Sequence, residues 1–283
     1  FHGATLEDLQ AKGKEKVSVV VDPLFVDPEN GDFHLKPGSP AEKVGFKPFD
    51  YTQAGLYGDK SWTDLPKGFE FAPVDFGPPP PPPPPLVIND DFETSPLGAK
   101  PARAAQCMTE DKGASIGVTD ETAAGGKQSL KIVDCPGNQF DFNPHFAYVP
   151  SYTKGTATCS FDMRLGPGVR MYHEWRSWDV DPYRVGPSLW IVGGQLRVGG
   201  QNLLDLPLDQ WFHVEVTAKV GDDADGVWTL TVTLPGQDPK RFESLKTGAA
   251  DFKNLTWVGW SSMATDKTVY YLDNVKLAND TEP

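Results

Sequence analysis

The chain has 283 residues, 39% of them hydrophobic and 11% aromatic, which is enough apolar matter for real cores and argues against wholesale disorder. Its formal net charge is −13, from 39 acids and 26 bases. No part of it is a basic surface, so nucleic acid and anionic membranes are poor partners, and no run of about 18 apolar residues provides a membrane span.

Residues 5–15 predict a short helix, with Thr5 and Asp8 spaced as a capping box in which Asp replaces the usual Glu or Gln. The run VSVVV at 17–21 predicts a short buried strand. A segment dense in Asp-Pro, Asn-Gly and Pro-Gly turn signals follows, around a second short strand at Phe33–Leu35. Few ordered residues and no staples make this a weak core, so the segment is expected to pack against something else. Residues 47–77 scatter Phe49, Tyr51, Tyr57, Trp62, Phe69, Phe71 and Phe76 among turn residues, which reads as a covering tail more readily than as a sugar site.

Eight consecutive prolines, Pro78–Pro85, come next. Proline fixes φ and has no N–H, so the run predicts a stiff polyproline spacer roughly 25 Å long. It divides the chain into 1–77, a linker at 78–85, and 86–283. The two flanks carry 13 acids against 8 lysines and 26 acids against 18 bases, net −5 and −8.

Beyond the spacer, period-two alternation recurs between Gly, Asp and Pro turns at 128–133, 156–165, 211–220, 227–234, 255–260 and 268–277. No amphipathic helix of ten residues occurs. The fold class expected is mainly β, an antiparallel sandwich of jelly-roll type. Cys159 falls on the apolar face of its strand, while Cys107 and Cys135 are open between a disulfide and two free thiols. Asp222, Asp223 and Asp225 lack EF-hand spacing and read as a hairpin turn.

The string VDPLFVDPENGDFHLKPGSPAEKVGF at 21–46 resembles the last coil and exit segment of right-handed parallel β-helix proteins, a group that includes polysaccharide lyases and glycoside hydrolases. It implies a terminal β-helix fragment at 1–77, with the missing upstream coils as its partner. The opening INDDFETSPLGAKP at 88–101 and the closing VYYLDNVKLA at 269–278 resemble the ends of concanavalin A-like and laminin G-like jelly rolls, including carbohydrate-binding modules. That resemblance implies a structural Ca²⁺ held through Asp91, Glu93 and Asp273, with Asn274 standing where a second Asp is common. Together the two imply a carbohydrate-binding accessory domain of an extracellular, cell-surface or periplasmic bacterial β-helix protein active on polysaccharide, with this chain alone not expected to be catalytic.

The stretch 170–201 is the richest in candidate ligand contacts: Tyr172, His173, Glu174, Trp175, Arg176, Trp178, Tyr183 and Arg184. Flat aromatics stack on the apolar C–H faces of sugars, and Arg, Glu and His bond their hydroxyls. A polysaccharide or oligosaccharide is therefore the expected partner. Trp178 is expected on a loop beginning near Ser177, folded back towards Trp175 and Tyr172, and Trp190 is expected in the core between Leu189 and Ile191. Glu174 with Asp179 or His173 is the alternative, a glycan-cleaving pair. Against it, no acids two and four apart supply the closely spaced carboxylates of a retaining glycosidase. A purely structural or surface-attaching sandwich is the second alternative.

Overall fold

A computed structural model describes residues 5–51, 54–69, 77, 84–110 and 112–281. The chain divides into two compact units, Phe1–Pro80 and Pro81–Pro283. Most of the proline run, 78–83, lies outside the described residues, as do Phe71 and Phe76.

In the first unit, helix α1 (Leu6–Ala11) starts at a capping box: the Thr5 hydroxyl accepts from the Asp8 N–H, and the Asp8 carboxylate accepts from the Thr5 N–H. Strands β1 (Phe25–Asp27) and β2 (Asp32–Leu35) form an antiparallel hairpin, with Phe25 edge-on to Phe33 at 5.4 Å. A short helix α2 (Lys60–Thr63) follows. Residues 17–21 do not form the expected strand. Among the described residues no strand pairs with them, and Val17, Val19, Val20 and Val21 are exposed. An apolar run becomes a strand only when a neighbouring strand takes its N–H and C=O groups. The described residues of this unit show no β-helix coil.

The second unit is all β: β3 (Ile88–Asp90), β4 (Gln106–Met108), β5 (Ser115–Thr119), β6 (Ser129–Asp134), β7 (His145–Tyr148), β8 (Thr156–Leu165), β9 (Arg170–Ser177), β10 (Arg184–Val192), β11 (Gln195–Val198), β12 (Gln201–Asp205), β13 (Trp211–Lys219), β14 (Val227–Thr233), β15 (Lys240–Lys246), β16 (Trp257–Ser262) and β17 (Thr268–Asn279). They build a seven-stranded sheet, β12-β11-β10-β9-β16-β7-β4, and an eight-stranded sheet, β15-β14-β13-β8-β17-β6-β5, with β3 also on β17. Every named pairing is antiparallel.

The sheets face each other across one core. Alternation on β8 sends Ala157, Cys159, Phe161, Met163 and Leu165 inward, where all are buried. Phe161 meets Trp260 of the other sheet edge-on at 5.3 Å, and Trp260 stacks on Phe146 at 4.8 Å. Each such side chain contributes about 1.5–3 kcal/mol by leaving water. Trp228 is core on β14. All three cysteines are free thiols, so Cys107 and Cys135 form no disulfide. Residues Gly221–Asp223 are a 3₁₀ turn between β13 and β14.

Candidate functional site: the outer face of the seven-stranded sheet

β9 lies mid-sheet, and its alternation divides the aromatic stretch between two faces. Met171, His173 and Trp175 point into the core. His173 and Trp175 are fully buried, which removes both from any ligand on the outer face. The Trp175 Nε1–H donates to His173 Nε2 at 3.1 Å, so His173 carries its proton on Nδ1 and donates it to the Gly259 carbonyl at 3.0 Å. Burial pushes this imidazole down to about 3, against the pull of the Gly259 hydrogen bond.

Tyr172, Glu174 and Arg176 point outward. Cross-strand register places Ser188, Glu174, Gly259, Ala147 and Gln106 in one row across five strands. The next row along holds Arg197, Trp190, Tyr172, Ser261, His145 and Met108. Trp190 therefore lies on the outer face, tilted against Tyr172 at 4.9 Å, and not in the core. Leu189 and Ile191 flank it in sequence and are buried; with period two, that itself sends Trp190 the other way.

One end of this face is a layered stack. The Trp257 indole lies over Gly259, where a Cβ would overlap its six-membered ring, and its Nε1–H donates to Gln106 Oε1 at 3.0 Å. The Arg176 guanidinium sits 4.1 Å from the centre of the Trp257 ring, 4.9 Å from Tyr183 and 5.2 Å from Trp178. Arg176 Nε donates to Glu174 Oε1 at 2.6 Å, and its Nη2 to the Tyr172 hydroxyl at 3.3 Å. Cation–π contacts in such a desolvated setting contribute about 2 kcal/mol.

Trp178 and Tyr183 stack at 4.6 Å and 17°, and are 52% and 43% exposed. β9 ends at Ser177, so Trp178 opens the loop. It turns towards Tyr183 and Trp257 and away from the buried Trp175. Arg184, at the rim, pairs with Asp251.

The residues of the alternative, a glycan-cleaving pair, are each engaged by other groups or buried. Glu174 is held by Arg176 and by the Ser188 hydroxyl, Asp179 is bonded to Ser177 and Asn254, and His173 is in the core.

Of the three acids matched to a calcium site, Asp273 and Glu93 hold the loop 122–128. Asp273 Oδ2 accepts from the N–H groups of Ala124 at 2.8 Å and Gly125 at 3.1 Å, and its Oδ1 from the Asn274 N–H. Glu93 Oε1 accepts from the N–H groups of Lys127 at 2.8 Å and Gln128 at 2.7 Å. Asp91 Oδ1 accepts from the Glu93 N–H. Burial raises the Asp273 carboxyl above its ordinary range despite these bonds. N–H donors thus already engage these oxygens. Among the described residues, no three His, Cys, Asp or Glu side chains gather as a metal shell.

His145, Trp257, Gly259 and Ser261 on the face carry no local signal as a group, because two strands distant in sequence, β7 and β16, bring them together. A glycine inside the strand pattern at 257–262 is the one hint of a close approach.

No family model matches the sequence, and no curated protein does. Solved structures resemble the sandwich. One is an endo-β-1,4-glucuronan lyase from the fungus Trichoderma reesei, with 11% identity and a TM-score of 0.46, covering 65% of this chain and 94% of that one. A second is the cellulose induced protein Cip1, at 16% and 0.47, covering 68% and 96%. A third is an alginate lyase from Aplysia kurodai, at 10% and 0.43, covering 58% and 87%. Likeness at this level assigns no activity to this chain.

Proposed function

We propose that the second unit binds carbohydrate on the outer face of the seven-stranded sheet. The observation that carries this reading is the half-exposed stack of Trp178 on Tyr183, braced from beneath by Arg176 and Trp257. An exposed, rigid aromatic plane is what the apolar face of a sugar ring requires, and it loses little side-chain entropy on binding because its rings are already packed. Polar groups for hydroxyls stand on the same face: Ser188, Glu174, Gln106 and His145. The site therefore works as a surface for a glycan. Affinity electrophoresis of the full chain in gels containing neutral and acidic polysaccharides tests the reading. Retardation is expected and should be lost in Trp178→Ala. Unretarded migration in every gel contradicts it.

For the first unit, the same reading makes 1–77 the end segment of a solenoid whose coils carry the polysaccharide chemistry. Its support is the uncovered valine run at 17–21 and the apolar hollow formed by Phe25, Phe33, Leu35, Phe46 and Phe49. Amide exchange at 17–21 tests this: it should be fast in this chain and slow in one carrying coils ahead of Phe1, and equal exchange in both contradicts the role.

A further inference from the structure

The loop entering β7 presents a second aromatic plane. Phe140 and Phe142 stack at 5.2 Å and 20°, and are 48% and 41% exposed. Single exposed apolar residues are ordinary, but two stacked together on a surface need a reason. The loop is pinned. The Glu110 carboxylate accepts from the N–H groups of Gln139 and Phe140 and from the Asn143 amide Nδ2.

Asn143 is buried, and its orientation is decided by Glu110: the NH₂ faces the carboxylate, so Oδ1 faces the His145 ring. His145 Nδ1 lies 2.6 Å from that oxygen and must carry the proton it donates. Nε2 is left as a lone-pair acceptor. Burial, with the Arg176 charge nearby, holds the imidazole below its ordinary range and keeps it neutral at pH 7. The Phe142 ring meets His145 edge-on at 5.6 Å. His145 stands in the same row as Tyr172, with Ser261 between them.

We propose that Phe140, Phe142 and His145 form a second sugar subsite, so that the face takes an extended glycan chain and not a single residue or a chain end. This rests on the glycan-binding reading above. Trp178 packs on Trp257, whose row lies four positions from the Ser261–His145 row, and β9 is two strands away from β7. Those rows are about 13 Å apart along the strands, and the two strands are about 10 Å apart across them. One sugar ring cannot touch both planes, whereas a chain of several residues can. The Phe pair supplies the stacking surface, and His145 Nε2 accepts a hydroxyl of the same residue.

The test is a calorimetric titration of the full chain with cello-oligosaccharides and with oligogalacturonates of one to six residues. For whichever ladder binds, the hexamer should bind at least tenfold more tightly than the dimer. Phe142→Ala should weaken the hexamer about tenfold and change the dimer less than twofold. Trp178→Ala should weaken both. Phe142 is exposed, so an unchanged melting temperature separates lost binding from lost folding, and Phe142→Tyr should restore the hexamer affinity. If affinity is flat with length, or if Phe142→Ala leaves the hexamer untouched while Trp178→Ala weakens it, the second subsite falls and the glycan face stands. If neither ladder binds the unaltered chain, both fall.

Discussion

The indole of Trp257 occupies the space that a side chain at residue 259 would need, and only glycine leaves it free. Everything above that indole depends on it: Arg176 lies on Trp257, and Trp178 and Tyr183 lie around Arg176. Gly259→Ala should therefore tilt the whole stack. A methyl forced into a packed site costs about 1–3 kcal/mol. The expected result is a lower melting temperature together with weaker glycan binding. A Gly259→Ala chain with both unchanged would show that the stack is not built as described.

His173 gives a pH prediction. Its folded pKa of about 3 lies below the ordinary 6.5. A depressed histidine contributes stability above 6.5, where both states are neutral. As pH falls below 6.5, the unfolded chain takes up the proton and the folded one does not. Stability is lost at up to roughly 1.4 kcal/mol per pH unit, down to about pH 3. Other groups titrate in this window, so the comparison is with His173→Gln. Urea melts between pH 7 and 4 should show a shallower loss in the variant, and parallel curves would contradict the buried neutral imidazole.

Much of the sandwich was legible in the sequence, because alternation on β8, β13 and β14 is local. The same rule, applied strictly to β9 and β10, also sorts His173 and Trp175 inward and Trp190 outward. The composition of that stretch suggested one cluster, but a strand has two faces. His145 and Trp257 were not legible. Their place beside Tyr172 and Arg176 depends on pairing between strands more than twenty residues apart, which no local pattern encodes. The valines at 17–21 have strand-forming residue types, yet residue type alone does not make a strand, and none forms there among the described residues.

Asp273 and Glu93 hold the same loop from two ends of the unit, through four N–H bonds. Asp273→Ala strips the loop of two of them and should cost about 1–3 kcal/mol. If the clasp is sufficient by itself, that loss appears equally in EDTA and in millimolar calcium. A melting temperature that calcium raises in the unaltered chain and not in Asp273→Ala would instead establish an ion at these residues.

Core and face should separate cleanly among the tryptophans. Trp228 is 2% exposed, and Trp228→Ala should cost about 3–5 kcal/mol of stability. Trp211 is on the other sheet, and Trp211→Ala should leave glycan binding unchanged. Thermal melts and titrations on each variant check both statements.

The most direct test of the central claim is a glycan titration of Trp178→Ala beside the unaltered chain, with a melting curve on each. Trp178 is half-exposed and stacked on Tyr183. The account predicts a melting temperature within a few degrees of the original and a loss of about 1–3 kcal/mol in binding, if stacking on a sugar matches stacking on a base. Full binding retained by Trp178→Ala, or a domain that unfolds without this ring, would contradict it.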